Sequence, residues 1–139
     1  ISYDYKVFDN IVICQIDSQG SIAWDYLLEF YQTEEITSKS NIRDSSTFSF
    51  FANNQINIFT NGLMYLDEVQ LIVEQDKRLN KTNFYNIKIN QSGALDPTVI
   101  FTNLDSELIF KAEGSVKSNS IIHILGQGHM RKQSLKLEF

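Results

Sequence analysis

Apolar and polar residues alternate along most of this chain, which is the pattern of β-strands whose two faces meet different surroundings. Residues 11–16 (Ile-Val-Ile-Cys-Gln-Ile) form a short apolar run, and the polar tetrapeptide Asp17-Ser18-Gln19-Gly20 follows it. Glycine adopts a positive φ at no steric cost, and an aspartate can accept hydrogen bonds from the backbone two residues further on. The pattern therefore predicts a strand followed by a tight turn.

The same motif recurs later in the chain, and the second copy resolves an ambiguity in the first. Residues 21–31 fit a helical face as well as a strand. In the second copy Pro97 stands where the first has Trp24, and residues 98–101 (Thr-Val-Ile-Phe) follow. Proline is unfavourable inside a helix and β-branched residues favour strands, so we predict a strand after both turns. The two copies are Ile16-Asp17-Ser18-Gln19-Gly20-Ser21-Ile22 and Ile89-Asn90-Gln91-Ser92-Gly93-Ala94-Leu95.

The other segments predict two hairpins, a loop and a last strand. Residues 33–46 are polar without an apolar period and are predicted to form a loop. Residues 47–60 predict a hairpin, and residues 108–125 predict a matching one. Alternation over residues 134–139 predicts the last strand. Residues 66–79 fit a strand and a helix, and the pattern leaves both open.

Two spacings indicate that one unit repeats. Gly20 and Gly93 lie 73 residues apart, and Ile56 and Ile122, at corresponding places in the two hairpins, lie 66 residues apart. Recurrence of a supersecondary unit is typical of propellers and other arrays. We therefore predict a single all-β domain over residues 1–139, with about 9 to 10 short antiparallel strands.

The first copy of the motif resembles the blade signature of β-propeller repeats, in which a strand ends in Asp-x-x-Gly and the next strand carries an aliphatic residue and then a tryptophan. The matching residues are Ile16, Asp17, Gly20, Ile22 and Trp24. In outline the chain also resembles uncharacterised propeller-like proteins of the cell envelope of Bacteroidetes-type bacteria. The resemblance implies blade-like repeats, a tryptophan wedged between neighbouring sheets, and a periplasmic or extracellular location.

The number of blades is too small for a closed ring. The pattern accounts for about two and a half four-stranded blades, whereas a propeller closes with about 4 to 8. An open set would leave apolar faces and sheet edges exposed. We therefore expect the chain to be the C-terminal part of a longer protein, to associate with copies of itself, or to close as a β-sandwich instead.

Charge and cysteine content narrow the classes of partner. The formal net charge is −5, which disfavours binding to nucleic acid or to anionic lipid, because both require clustered positive charge. No stretch approaches the roughly 20 apolar residues of a transmembrane helix, so no membrane insertion is predicted. Cys14 is the single cysteine and is predicted to be a buried thiol on a strand.

Candidate chemistry is sparse, and we predict no catalytic residue, no metal site and no cofactor. His123 and His129 have no carboxylate or cysteine at metal-site spacing. Gly126-x-Gly128 is too short for a phosphate-binding loop and is predicted to be a hairpin turn. Aromatic residues near loops are the remaining candidates for binding sugar or protein. They are Tyr3, Tyr5, Phe8, Tyr65 and Tyr85.

These observations favour a non-enzymatic function. The first hypothesis is a propeller-like scaffold or interaction module of a secreted or envelope protein, with a protein or glycan partner. The second is a compact β-sandwich that binds carbohydrate or peptide. The third is an enzyme with part of its catalytic machinery outside this chain.

Overall fold

The computed structural model of this chain describes residues 4–8, 10–36, 47–67, 70–74, 81–104, 106–112, 114–128 and 130–139. These residues form twelve strands and contain no α-helix. The strands are β1 (Asp4–Phe8), β2 (Ile11–Ile16), β3 (Ile22–Ile36), β4 (Phe48–Ala52), β5 (Gln55–Asp67), β6 (Gln70–Glu74), β7 (Asn83–Ile89), β8 (Leu95–Thr102), β9 (Ile109–Phe110), β10 (Val116–Ser118), β11 (Ile121–Gln127) and β12 (Lys132–Glu138).

The predicted all-β class is confirmed, and the strands pair antiparallel except for β3 with β6. The described residues show no closed ring of blades. The strand count is higher than predicted, partly because β1 lies in a region where the pattern predicted no strand. Within residues 21–31, which also fitted a helix, residues 22–31 are strand as part of β3.

Two predicted segments need correction or completion. The loop prediction for residues 33–46 is wrong at residues 33–36, which continue β3 because β1 pairs alongside them, from Asp4 opposite Ile36 to Phe8 opposite Gln32. Residues 37–46 lie outside the described residues. In the undecided segment 66–79, residues 70–74 are strand β6, which lies between β3 and β5. Residues 68–69 and 75–79 are outside the described part.

The two longest strands, β3 and β5, each pair with different strands along different parts of their length. Residues 22–28 of β3 pair with β2, and its later residues pair with β1 and β6. We call β2 and residues 22–28 the N-terminal ribbon. Residues 55–62 of β5 lie between β4 and β7, and β8 pairs with β7 on the far side. We call these four strands the central sheet, and we call β9 to β12 the C-terminal sheet.

One apolar core joins the N-terminal ribbon to the central sheet. Leu28 of the ribbon packs with Ile58, Ile87 and Ile89 of the central sheet, and all four are almost fully buried. The half-buried residues around them are Ile11, Ile13, Trp24, Tyr26, Ile56 and Leu95. Fully burying a leucine or isoleucine side chain, as at Leu28 and Ile87, stabilises the fold by roughly 1.5–3 kcal/mol.

A second core lies on the opposite face of the central sheet. Phe59 and Phe84 point to this side and pack with Phe110, Ile122 and Ile124. Because side chains alternate along a strand, the consecutive residues Ile58 and Phe59 enter different cores. The ribbon and the C-terminal sheet therefore pack on opposite faces of the central sheet, and β6 joins the ribbon strand β3 to β5 within one eight-stranded sheet.

Buried asparagine side chains attach the C-terminal sheet to the central sheet at β9, a strand of only two residues. Asn61 donates from Nδ2 to the Phe110 carbonyl oxygen (2.8 Å) and accepts at Oδ1 from the Ala112 N–H (2.8 Å). Asn103 accepts at Oδ1 from the Phe110 N–H (3.0 Å). The Phe110 carbonyl oxygen also accepts from the Asn103 Nδ2 atom (3.2 Å), so losing the Asn61 side chain removes the bond of the Ala112 N–H and losing Asn103 removes that of the Phe110 N–H, at about 1–3 kcal/mol for each unpaired group. These bonds hold the end of β9 against the central sheet.

Candidate functional site

The two copies of the repeated motif form the same corner. At the first, the Asp17 Oδ1 atom accepts hydrogen bonds from the N–H groups of Gln19 (2.8 Å) and Ser21 (2.9 Å). Gly20 has a φ of 84°, as predicted from the motif. The motif therefore encodes a turn held by one side-chain oxygen and closed by a glycine.

The second corner repeats this arrangement with asparagine in place of aspartate. The Asn90 Oδ1 atom accepts from the N–H groups of Ser92 (2.9 Å) and Ala94 (2.9 Å), and Gly93 has a φ of 80°. The exchange is tolerated because both side chains present an Oδ1 acceptor at the same place. The repeat inferred from the sequence is thus a repeat of geometry at the two corners.

Trp24 connects the first copy to the second. Its Nε1–H group donates to the Gln15 Oε1 atom (2.6 Å) and to the Gln91 carbonyl oxygen (2.8 Å), which belongs to the second corner. A Cβ atom added to Gly93 would lie 3.1 Å from the indole, closer than most real contacts. Trp24 is half-buried and packs against the core between the ribbon and the central sheet. Its counterpart Pro97 lies in β8, opposite Ile87.

A cleft of about 320 Å³ opens between the two corners and the hairpin of β4 and β5. Two aromatic side chains line it, Trp24 and Phe51, and the Phe51 ring is 60% exposed. Four side-chain amides also line it, from Gln15, Asn54, Asn90 and Gln91. No lining residue has a charged side chain, and Cys14 is the one lining residue whose side chain can ionise. This combination can bind an uncharged ligand by ring contact and hydrogen bonding.

The outer surface of the N-terminal ribbon carries an exposed apolar pair. Val12 and Leu27 lie opposite each other on the face turned away from the core, and they are 68% and 36% exposed. Asp25, opposite Cys14, is also exposed on this face. Ile16 and Ile22 are exposed beside the first corner but belong elsewhere, because Ile22 alternates with Trp24 toward the core side and Ile16 lines the cleft described above.

The prediction of a buried thiol at Cys14 is wrong. Cys14 is exposed, since Ile11 and Ile13 occupy the face of β2 that packs on the core and the even-numbered residues alternate away from it. The apolar run 11–16 did not show this, because its one polar residue, Gln15, alternates with Ile11 and Ile13 on the face that packs on the core. Cys14 has no His or acidic side chain beside it in the lining of the cleft.

The other predicted candidates do not gather into a site. His123 is exposed on the C-terminal sheet, and His129 lies outside the described residues. Gly128 closes the hairpin between β11 and β12 by donating its N–H to the Arg131 carbonyl oxygen, as predicted, but Gly126 lies within β11 rather than in the turn. Across the described ranges no group of three or more His, Cys, Asp or Glu side chains is placed to hold a metal ion.

Of the five aromatic residues that the sequence selected for a binding surface, the structure tests only Tyr85, and it contradicts that choice. Tyr85 is buried, at 8% exposure. Tyr3 lies outside the described residues, and the side chains of Tyr5, Phe8 and Tyr65 are not described. Phe51 was missed, although the sequence held a signal for it. Phe48 and Phe50 alternate onto the second core, which leaves Phe51 on the opposite face.

No protein family model, curated protein or solved structure matches this chain. In the part of the chain that the structure describes, no helix is both long enough and apolar enough to cross a membrane.

Proposed function

We propose that this chain is a non-catalytic scaffold built of propeller-blade-like layers, and that it functions by packing the outer face of one of its sheets against a partner. Two observations support the blade-like reading. The Asp17 and Asn90 corners share their hydrogen bonds, and the layers pack face to face through cores on both sides of the central sheet. The periplasmic or extracellular location belongs to the same proposal and rests on the sequence resemblance.

The observation that carries the proposal is the exposed apolar outer face of the N-terminal ribbon. Val12 and Leu27 present apolar surface there, whereas the corresponding face of the C-terminal sheet carries Lys136 and Glu138, whose side chains form an ion pair at 3.2 Å. An apolar sheet face of this kind is normally covered. The C-terminal face also has exposed apolar residues, Val116 and Leu125, but Lys136 and Glu138 lie among them, so the surface that best complements the ribbon is another copy of the ribbon. We therefore assign the outer face of the ribbon to contact with a second copy of this chain, in a symmetric pair.

Sedimentation velocity tests this assignment. The chain should sediment as a concentration-dependent dimer, and added salt should strengthen the dimer because each copy carries a net charge of −5. Val12→Lys together with Leu27→Lys should give a monomer with an unchanged circular dichroism spectrum, because both changes are on the outer face.

A matched pair of substitutions on the other outer face is the control. Val116 and Leu125 are 59% and 47% exposed, and both lie on the outward side of the C-terminal sheet. Val116→Lys together with Leu125→Lys should leave the dimer intact. A wild-type monomer at all concentrations would contradict the proposal and favour the β-sandwich alternative, in which the ribbon face is simply the outside of the domain.

The composition of the cleft supports a binding role over a catalytic one. Acid–base or nucleophilic catalysis requires ionisable groups that converge on one point. The lining residues offer amides, apolar side chains and aromatic rings, and Cys14 has no base beside it there.

A further inference from the structure

We propose that the cleft between the two corners binds an uncharged saccharide, about one or two sugar rings in size. Its volume of about 320 Å³ is at the lower end of the range of about 300–1,000 Å³ for small-molecule sites. This inference does not depend on self-association, because the cleft and the outer face formed by Val12 and Leu27 are different surfaces.

The lining matches the chemistry of a neutral sugar. A pyranose presents C–H groups that pack on an aromatic ring and hydroxyl groups that both donate and accept hydrogen bonds. Phe51 supplies an exposed ring, and the exposed residues Asn54 and Gln91 supply amides that can donate and accept. Among the lining residues an ionic ligand would find no counter-charge, because none of their side chains is charged. Lys117 lies outside the lining and donates from Nζ to the Phe51 carbonyl oxygen at 3.0 Å, and because it keeps its charge there, the acidic comparator below tests whether an anion binds instead.

The corners themselves offer few backbone donors to an extended peptide. A peptide that adds to a sheet needs free backbone donors along a strand edge. At the corners next to the cleft, backbone N–H groups are already bonded to the Asp17 and Asn90 side chains. The outer edges of β2 and β4 have no partner strand among the described residues, and the peptide comparator below tests whether a peptide binds there instead.

The single tryptophan of the chain lines the cleft, so its fluorescence reports occupancy without a label. The probes are neutral disaccharides that cover the α- and β-linkages of glucose, galactose, mannose and N-acetylglucosamine. Sialyllactose serves as the acidic comparator and an uncharged hexapeptide as the peptide comparator. At least one neutral disaccharide should produce a saturable change in Trp24 emission below about 10 mM, a weak affinity in keeping with a small open site.

Two variants locate the binding. Phe51→Ala should weaken the affinity at least tenfold without lowering the melting temperature appreciably, because the ring is mostly exposed. Gln91→Ala should weaken it about threefold to tenfold, and it keeps the backbone carbonyl that accepts from Trp24. Val116→Ala, an equally exposed apolar residue outside the cleft, should leave the affinity unchanged. The inference is overturned if no neutral disaccharide gives a saturable response, if only a comparator binds, or if Phe51→Ala binds as the wild type does.

Discussion

The two corners of this chain have the same local structure and different surroundings. Each has an Oδ1 atom that accepts two backbone N–H groups and a glycine with a φ near 80°. A Cβ atom added to Gly20 would meet nothing within 4 Å, whereas one added to Gly93 would meet the Trp24 indole at 3.1 Å. The motif therefore fixes the turn in both places, and the tryptophan of the first copy makes the second corner part of the packing between layers.

Removing the tryptophan should have the largest effect. Trp24→Ala removes the indole from the first core and both of its Nε1–H bonds. We expect the free energy of unfolding to fall by about 3 kcal/mol, the low end of the range for large aromatic deletions, because Trp24 is half-buried rather than fully buried. Urea unfolding followed by circular dichroism measures the change. A loss below about 1 kcal/mol would mean that Trp24 does not hold the ribbon to the central sheet.

The two glycines should differ in the cost of an added methyl group. Gly20→Ala should cost about 1 kcal/mol, the penalty of placing an L-residue at positive φ. Gly93→Ala should cost about 2 kcal/mol or more, because the methyl group also crowds Trp24. Each variant is the control for the other in the same unfolding experiment. Equal losses at the two positions would contradict the contact between Gly93 and the indole.

The capping side chains should show a smaller difference in the same direction. Asp17→Ala should cost about 1 kcal/mol, since the Asp17 corner is exposed and water can replace the lost acceptor. Asn90→Ala should cost about 1–2 kcal/mol, because Asn90 is half-buried and its Oδ1 atom also accepts from the Ser92 hydroxyl at 2.7 Å. Thermal unfolding of the two variants in parallel measures the difference. A larger loss at Asp17 would reverse our ranking of the corners.

Local features of the fold could be read from the sequence, because they depend on neighbours in the chain. The turns at Gly20 and Gly93 and the strand after each needed only residue chemistry and a period of two. The repeat could be recognised because Asp17 and Asn90 present the same acceptor. The shared face of Ile122 and Ile124, which meets the second core, also followed from alternation.

Features that depend on distant partners could not be read in this way. Residues 33–36 became strand because β1 pairs with them, and the polar composition gave no sign of that partner. The exposure of Cys14 follows from which face of β2 meets the core. The buried Asn61 side chain forms hydrogen bonds with the backbone of Phe110 and Ala112, which lie 49 and 51 positions further along the chain. The cleft depends on the same long-range assembly, because it joins both corners to the hairpin that carries Phe51.

A double-mutant cycle between Trp24 and Gly93 tests most directly the claim that the first repeat packs on the corner of the second. Urea unfolding should be measured for the wild type, Trp24→Ala, Gly93→Ala and the double variant, with Trp24→Leu as a second background if Trp24→Ala is too unstable. We predict that the cost of Gly93→Ala falls by at least about 1 kcal/mol once the indole is gone, to the cost of Gly20→Ala. Additivity within about 0.4 kcal/mol would contradict the account, because residues that do not touch behave independently.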